Sequence, residues 1–378
     1  MKKKLISLLM ATTMALTALT GCTANGGNTG GTDNTTTGES KAQQETSGGA
    51  EIALITDVGT IDDKSFNQGS WEGVEAYAKD NNISHKYYKP SEKSDDAVMT
   101  SIDLAVKGGA KVIVCPGFLF EVPIYNAQVK YPDVKFILID GAPHNGDYNY
   151  DIKENTKSIF YAEEQAGFLA GYAAVQEGYK NLGFMGGIAV PAVVRFGYGY
   201  IQGAEYAAKE LGLSEADINI KYTYVGNFDA SPENMSKAAA WYNEGTEVIF
   251  ACGGGVGNSV MKAAEAAGKK VIGVDVDQSG ESDTVITSAM KNLSKSVYDS
   301  LDEYYNNKFQ GGVSVTLDAS TNNVQLPMEN SKFTKFTKEM YDKIYSQIID
   351  GTIQIGKNDI AEDADKVPVT LVKVESIK

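Results

Sequence analysis

The sequence has very little arginine, histidine or cysteine. Arg195 is the only arginine among the 34 basic residues, and the chain holds two histidines and three cysteines. Sites built from clusters of Cys and His are therefore not expected, and no metal is predicted. The formal charge is −15, which argues against nucleic acid as a partner, because binding a phosphate backbone requires clustered positive charge.

Motifs of several common enzyme classes are also missing. The chain contains no Walker A lysine motif, no GxSxG elbow and no HExxH sequence. CGGGVGNS, at residues 252 to 259, resembles a dinucleotide-binding loop, but Asn258 stands where the third glycine belongs. We therefore expect no cofactor and no catalytic residue, and we interpret Gly253 and Gly254 as positions where the backbone approaches a ligand closely.

The first 21 residues have the layout of a secretory signal peptide. Three lysines at positions 2 to 4 precede an uncharged apolar stretch that runs to about residue 19. That stretch is short for a membrane span, although a lone N-terminal anchor helix is the alternative. LTGC, which ends at Cys22, resembles the lipobox of bacterial lipoproteins, in which the cysteine is acylated and becomes the mature N-terminus. Removal of residues 1–21 takes away three lysines and no acid, which changes the charge from −15 to −18.

Residues 22–49 are predicted to form the lipidated cysteine and a flexible tether. Gly, Thr, Ser, Asn and Gln dominate this segment, and it has too few apolar side chains to offset the entropy of ordering. The folded part is expected to begin near Glu51, where EIALITDVG is the first apolar run with strand character. The sequence thus predicts an exported protein, anchored by lipid at the extracytoplasmic face of the cell membrane.

Short apolar runs that end in Asp or Gly alternate with helical patterns from Glu51 onward. These runs are IALITDVG, KVIVCPG, KFILIDG, NLGFMGG, EVIFACGGG and KVIGVDVD. Strands that alternate with helices indicate βαβ units and parallel sheets, so the fold class is α/β.

An internal repeat divides this α/β region in two. SFNQGSWEGVEAYAKD, from residue 65, matches RFGYGYIQGAEYAAKE, from residue 195, without a gap, and KFILID matches KVIGVD at an offset of 135. Two homologous lobes place the carboxyl ends of both sheets at one cleft, where such sheets bind ligands. The repeat pairs Phe66 with Phe196 and Asp140 with Asp275 on opposite walls. Two facing rings suit a flat ligand between them.

The repeated segment carries two candidate ligand-binding side chains. Ser65 is expected to be the N-cap of a helix, which places the Phe66 ring in the first turn at the cleft. Its alternative role is a core residue, but the copy at Phe196 favours ligand binding. Asn67 both donates and accepts hydrogen bonds, as recognition of a heterocycle edge requires, and its alternative role is helix capping.

Charged candidates stand at the ends of predicted strands. Asp57, Asp140 and Asp275 end strands or begin the loops that follow, where a carboxylate accepts hydrogen bonds from a diol or from ring N–H groups. The alternative role of each is an N-cap. Lys291 follows the apolar run VITSAM and is expected to donate to a hydroxyl and pair with Asp275, or else to be a surface lysine. Because carboxylates repel phosphate, the expected ligand is uncharged.

At these residues the sequence resembles the basic membrane protein family of bacterial lipoproteins, the substrate-binding components of nucleoside ABC transporters, which include the purine nucleoside receptor lipoproteins. The resemblance covers the chain from Glu51 to about Asn292. It is carried by DDKSFNQGSWEG, FILIDG, AEEQAGFLAGYAA, RFGYGYIQGAE, IFACGGGVGNSVMKAA and VIGVDVDQ with SAMKN.

The resemblance implies a type I periplasmic-binding-protein fold, with two Rossmann-like lobes and a purine nucleoside (guanosine, inosine or adenosine) bound in the cleft at the hinge. It implies the following positions around the ligand: Phe66 and Phe196 on either side of the base, Asn67 and Asp140 on its edge, Asp57 near the pocket, and Asp275, Lys291, Gly253 and Gly254 around the ribose. The expected partners are ABC permease subunits, and the protein is expected to be a monomer. The role of Arg195 stays open between stabilising the lobe and contacting ligand.

The type I periplasmic-binding-protein fold implies an N-terminal lobe of residues 50–161 plus 280–316. The C-terminal lobe would then consist of residues 162–279 plus 317–378. Two alternative functions remain at this stage. One is a sugar-binding protein of the same fold, in which aromatic rings cover sugar faces and aspartates bind hydroxyls. The other is an exported nucleoside hydrolase that uses clustered aspartates and a metal.

Overall fold

A computed structural model describes residues 49–377. The predicted signal peptide, the lipid site at Cys22 and nearly all of the tether lie outside the described residues. Within residues 49–377 no helix is both long and apolar enough to cross a bilayer.

The first lobe begins as a regular alternation of strands and helices. Its elements are β1 Ile52–Ile55, α1 Phe66–Asn81, β2 His85–Tyr88, α2 Asp95–Lys107, β3 Val112–Pro116, α3 Glu121–Lys130, β4 Lys135–Ile139 and β5 Thr156–Tyr161, with a short 3-10 helix at Phe118–Phe120. Strands β1 and β3 are buried along their whole length. This is the pattern of parallel strands covered by helices on both faces.

The second lobe repeats the alternation. Its elements are α4 Glu163–Glu177, β6 Asn181–Gly186, α5 Pro191–Glu210, β7 Ile218–Tyr224, α6 Pro232–Asn243, β8 Val248–Cys252, α7 Gly255–Ala267, β9 Lys270–Asp275 and β10 Val285–Lys291. The chain then returns to the first lobe with α8 Leu293–Tyr305 and β11 Val313–Leu317. It ends in the second lobe with β12 Val324–Gln325, α9 Lys338–Ile349 and β13 Val372–Ser376, and with 3-10 helices at Ala319–Thr321 and Ala364–Lys366.

The two sheets share one topology. The first has the strand order β11-β5-β4-β3-β1-β2, and the second β12-β10-β9-β8-β6-β7-β13. Pairing is parallel throughout except that β12 runs antiparallel to β10. The five strands β5-β4-β3-β1-β2 correspond in order to β10-β9-β8-β6-β7. This correspondence confirms the two similar α/β lobes predicted from the repeat.

The predicted boundary between the lobes is wrong at one place. The prediction places residues 280–316 in the first lobe, but β10 pairs with β9 of the second sheet, where Met290 lies opposite Asp275. The chain crosses to the first lobe between Lys291 and Leu293, and α8 then packs against α1. A buried apolar strand such as VITSAM fits into either sheet, so its composition does not reveal which sheet it joins.

Capping at the start of α1 also differs from the prediction. Ser65 occupies the N-cap position, but its hydroxyl does not cap the helix. Its Oγ instead donates a hydrogen bond to Asp275 Oδ2 of the second lobe at 2.6 Å. Asp63 accepts hydrogen bonds from three backbone N–H groups at the start of the helix, at 2.9 to 3.1 Å. The Asp63 carboxylate therefore starts the helix, and Ser65 links the lobes.

Helices α4 and α5 cross in direct backbone contact at four glycines. A Cβ added at Gly167, Gly171, Gly199 or Gly203 would lie 2.0 to 2.1 Å from a carbonyl oxygen of the facing helix. Only glycine permits this approach. The contact places the first residue of α4, Glu163, beside Arg195 on α5.

Candidate functional site

A cavity of about 580 Å³ lies between the carboxyl ends of the two sheets, a size typical of small-molecule sites. All nine residues that the sequence predicts for the ligand site line this one cavity: Asp57, Phe66, Asn67, Asp140, Phe196, Gly253, Gly254, Asp275 and Lys291. A smaller surface cavity of about 320 Å³ lies around Lys89 and Lys93 and draws its walls from the first lobe alone. Ligand binding by the nine residues stays a prediction.

The two phenylalanines reach the cavity from helices of opposite lobes. Phe66 is the first residue of α1 and is partly exposed to the cavity. Phe196 lies on α5 and is buried, with Phe250 packed edge-on against it at 5.9 Å between ring centroids. Packing against Phe250 fixes the Phe196 ring. The cavity thus has one aromatic ring on the wall of each lobe.

Lys291 is the charged centre of the cavity. It ends β10, and its Nζ lies 2.5 Å from Asp140 Oδ2, 3.5 Å from Glu163 Oε1 and 3.6 Å from Asp275 Oδ1. The sequence predicts pairing of Lys291 with Asp275, but the nearest partner of the lysine is Asp140 of the other lobe. Burial opposes the charge of Lys291, yet the three carboxylates outweigh burial and raise its pKa above the ordinary lysine value. Lys291 therefore carries its charge although it is buried.

The same ammonium group lies close to aromatic rings. Lys291 Nζ is 4.6 Å from the centroid of the Phe66 ring, 5.3 Å from that of Tyr161 and 5.7 Å from that of Phe196. These distances allow cation–π attraction, which is stronger where the cation is desolvated. Lys291 thus links the rings and the carboxylates of both lobes.

Asp140 and Asp275 occupy equivalent and strained positions at the ends of their strands. Their φ angles are +56° and +67°, in the left-handed region that aspartate adopts less readily than glycine. Asp140 Oδ1 is buried and has no hydrogen-bond partner among the described residues. Burial raises the pKa of Asp140 to about 6, although Lys291 lowers it. Burial also raises the pKa of Asp275, against the opposing effects of Lys291 and the Ser65 hydroxyl.

Asn67 belongs to a hydrogen-bonded network within the first lobe. Its Nδ2 donates to Asp57 Oδ1 at 2.8 Å and to Asp63 Oδ2 at 2.9 Å, and its Oδ1 accepts from the Asp57 N–H at 3.2 Å. The Asn67 side chain therefore positions these two carboxylates in this state. A contact from Asn67 to a base edge would require one of these bonds to be exchanged or shared.

Asp57 has one carboxylate oxygen left for a ligand. Its Oδ1 accepts hydrogen bonds from the Gly59 N–H at 2.7 Å and from Asn67. Its Oδ2 makes no hydrogen bond within the described part of the chain. Burial raises the pKa of Asp57 to about 6, and the hydrogen bonds from Gly59 and Asn67 only partly oppose that effect.

The glycines after β8 have both a packing role and free backbone donors. A Cβ at Gly253 would lie 2.8 Å from the Gly187 nitrogen, and Gly254 has a φ of +53°. Neither glycine N–H donates a hydrogen bond among residues 49–377. Both lie at the N-terminal end of α7, where backbone N–H groups favour oxygen acceptors of a ligand.

Several residues that line the cavity, or that contact the residues lining it, were not predicted from the sequence. Glu163 is fully buried and accepts a hydrogen bond from Arg195 Nε at 2.6 Å. In the sequence it is one of two acids in AEEQ at the start of a helix, where acids commonly serve only to stabilise the helix dipole. In the loop after β4, Tyr148 and Tyr150 are exposed and pack on His144, with ring centroids 4.8 and 5.4 Å away. No periodic signal marks these residues, because their loop lacks regular structure.

Two α/β lobes of this topology around a hinge cleft define a fold of the periplasmic-binding-protein type. A solute-binding protein of an ABC transporter from Aeropyrum pernix has the same fold, with a TM-score of 0.70, 22% identity, and coverage of 84% of this chain and 95% of that one. The fold class predicted from the sequence is therefore confirmed.

The family described as "ABC transporter substrate-binding protein PnrA-like" matches residues 50–359, and the chain belongs to this family. The nucleoside-binding protein BmpA of Lactococcus lactis subsp. cremoris is 28% identical, over 94% of this chain and 99% of that protein. Basic membrane protein A1 of Borrelia garinii is 30% identical, over 82% of this chain and 88% of its own length. These findings confirm the resemblance seen in the sequence.

Membership identifies the chain as the substrate-binding component of an ABC transporter, with a ligand and a permease as its partners. The family is not catalytic, which confirms that the protein is not an enzyme and excludes the nucleoside hydrolase.

Proposed function

We propose that the protein captures purine nucleosides outside the cytoplasm and delivers them to its ABC permease. The single observation that carries the proposal is the pair of rings, Phe66 and Phe196, which reach one cavity from opposite lobes. A purine base between them would gain stacking on both faces, and closure of the lobes would bring the second ring into contact. The name of the Lactococcus relative, a nucleoside-binding protein, agrees with this ligand class.

The polar groups suit the remaining parts of a nucleoside. Asp140 Oδ1, an unpartnered buried acceptor, would accept a ring N–H on the base edge. Asp275 Oδ1 and Lys291 Nζ lie 3.6 Å apart and would accept from and donate to ribose hydroxyls. The free N–H groups of Gly253 and Gly254 would donate to a ribose oxygen. Asp57 and Asn67 would complete the base-edge wall from the first lobe.

The charge of the cavity favours an uncharged ligand. Five acids line it, namely Asp57, Asp63, Glu121, Asp140 and Asp275, against the two cations Arg195 and Lys291. A phosphate group would meet this excess of carboxylates in a desolvated cleft, where charge repulsion is strong. We therefore propose nucleosides, and not nucleotides, as the substrates.

The proposal also includes membrane attachment through acylated Cys22 and a monomeric state. Mass spectrometry of the N-terminal peptide from cells would show two or more acyl chains on Cys22, and Cys22→Ser would release the protein into the medium or periplasm. An unmodified Cys22 would contradict the lipid anchor. Light scattering of the soluble part would give the mass of one chain, and twice that mass would contradict the monomer.

A thermal-shift experiment tests the ligand class. The described residues, 49–377, form one compact unit, so the chain from residue 50 is suitable without its lipid. Inosine, guanosine and adenosine are expected to raise the melting temperature, because a ligand that binds only the folded state stabilises it. Ribose and galactose serve as the comparison. A shift with a sugar but not with nucleosides would replace the proposal by a sugar-binding function.

A further inference from the structure

Arg195 presents unused hydrogen-bond donors to the cavity. It directly precedes Phe196 on α5, and its Nε donates to Glu163 Oε2 at 2.6 Å. Its two terminal nitrogens make no hydrogen bond within residues 49–377, and they are not sealed off, because the side chain is 12% exposed and lines the cavity. Glu163 is completely buried. The carboxylate thus holds one edge of the guanidinium and leaves the other edge for a ligand.

The internal repeat relates Arg195 to Ser65 and Asp140 to Asp275. Ser65 Oγ crosses the cleft to Asp275 Oδ2 at 2.6 Å. At the equivalent place on the other side of the cleft, Arg195 makes no hydrogen bond to Asp140 within the described residues. Asp140 Oδ1 is buried there without a hydrogen-bond partner. An unused donor edge in one lobe and an unused acceptor in the other therefore border the same cavity.

This arrangement matches one edge of a purine better than another. A guanidinium donates best to two adjacent acceptors, as in its bidentate contact with O6 and N7 of guanine. The neighbouring N1–H of a 6-oxopurine is a donor, which suits Asp140 Oδ1. Adenine reverses both features, because it carries an amino group at position 6 and an acceptor at N1. We infer that Arg195, held in place by Glu163, is a specificity-determining residue that makes the site favour 6-oxopurine nucleosides over adenosine. The inference rests on the proposed nucleoside function.

The test compares the affinities of inosine and adenosine by calorimetric titration of the chain from residue 50. In the wild-type protein we expect tighter binding of inosine, by about 5- to 150-fold, the range for one bidentate pair. In Arg195→Gln the inosine-to-adenosine ratio is expected to fall by roughly the same factor. The matched control is Lys262→Gln, which removes a cation from an exposed site on α7, and it should keep the wild-type ratio.

A second measurement does not depend on how the variant folds: it compares the affinities of the wild-type protein for inosine and for 7-deazainosine. Loss of N7 removes one acceptor of the fork and should weaken binding; equal affinity for the two ligands would overturn the inference. An unchanged ratio in a folded Arg195→Gln variant would also overturn it, while nucleoside binding itself would leave the proposed function intact. If none of these nucleosides binds the wild-type protein, the proposed function falls and the inference falls with it.

Discussion

Lys291 Nζ lies 2.5 Å from Asp140 Oδ2, so the last residue of a strand in the second lobe is bonded to the carboxylate that follows a strand in the first. Asp275 and Glu163 face the same ammonium group. The contact lies where the chain crosses between the lobes. It therefore connects the two sheets at the hinge as well as forming the floor of the cavity.

Replacing Lys291 by Met should strongly destabilise the protein. Removal of this cation leaves the buried Asp140 carboxylate without its ion-pair partner and takes positive charge away from Asp275, and breaking a buried pair in this way typically costs about 3–5 kcal/mol. Urea denaturation at pH 7 would measure the loss, and the loss should shrink at pH 5, because burial raises the pKa of Asp140 to about 6 and its carboxyl group is then mostly protonated. Lys295→Met is the control, because Lys295 and Asp299 form an exposed pair worth about 1 kcal/mol or less. Equal losses in the two variants would contradict the central role of Lys291.

Replacing Phe66 by Ala should weaken purine nucleoside binding by about 1–3 kcal/mol, the range for stacking of a base on an aromatic ring. Calorimetry with inosine would measure it. Phe309→Ala is a suitable control, since that ring packs near Lys135 of the first lobe and does not line the cavity. An unchanged dissociation constant in Phe66→Ala would show that the ring has only a packing role.

Asp57→Asn tests the electrostatics of the cavity through pH. Because the folded pKa of Asp57, about 6, lies above its ordinary value of 3.8, the folded state binds more protons than the unfolded state between these values. The stability that this group contributes is greatest below pH 4 and is lost as pH rises through 6.

Asparagine at position 57 does not ionise, so Asp57→Asn avoids the cost of burying a charged carboxylate at pH 7. The substitution should raise the free energy of unfolding at pH 7 by up to about 3 kcal/mol, with little effect at pH 4. Chemical denaturation at both pH values would measure the change. The exposed Asp62→Asn should change stability by about 0.5 kcal/mol or less at either pH. A variant that is equally or less stable than wild type at pH 7 would contradict the pKa of Asp57.

Gly199→Ala tests the close contact of α4 with α5. The added Cβ would lie 2.1 Å from the Glu164 carbonyl oxygen, so the helices must separate, at a cost of about 1–3 kcal/mol or more. Gly257→Ala on α7 is the matched control, because its Cβ meets nothing closer than 3.9 Å and alanine favours a helix by about 0.5–1 kcal/mol. Thermal melting would compare them, and a stable Gly199→Ala would refute the contact.

The sequence predicts the lobes well because each feature of the prediction is local or repeated. Apolar runs mark the strands, and the copy of Phe66 at Phe196 shows that two equivalent helices flank one cleft. The assignment of β10 to the first lobe is wrong because the identity of a neighbouring strand is a tertiary property that hydrophobic pattern does not encode.

Side-chain partners were harder to predict for the same reason. Serine is a common helix-capping residue, but the Asp63 carboxylate caps α1, and the Ser65 hydroxyl instead donates a hydrogen bond to Asp275 of the other lobe. The pairing of Glu163 with Arg195 depends on the glycine contacts between α4 and α5. The GxxxG spacing of the glycines on each helix indicates a close helix contact, but it does not specify which helix is the partner.

The most direct test of the proposed function is a calorimetric titration of the chain from residue 50 with inosine and guanosine, after removal of any co-purified ligand by unfolding and refolding. The proposal predicts saturable one-to-one binding with a dissociation constant of about 1 μM or tighter, corresponding to roughly −8 kcal/mol, and much weaker binding of the 5′-monophosphates. Absence of binding by any purine nucleoside to the refolded protein, or equal binding of nucleoside and nucleotide, would contradict it.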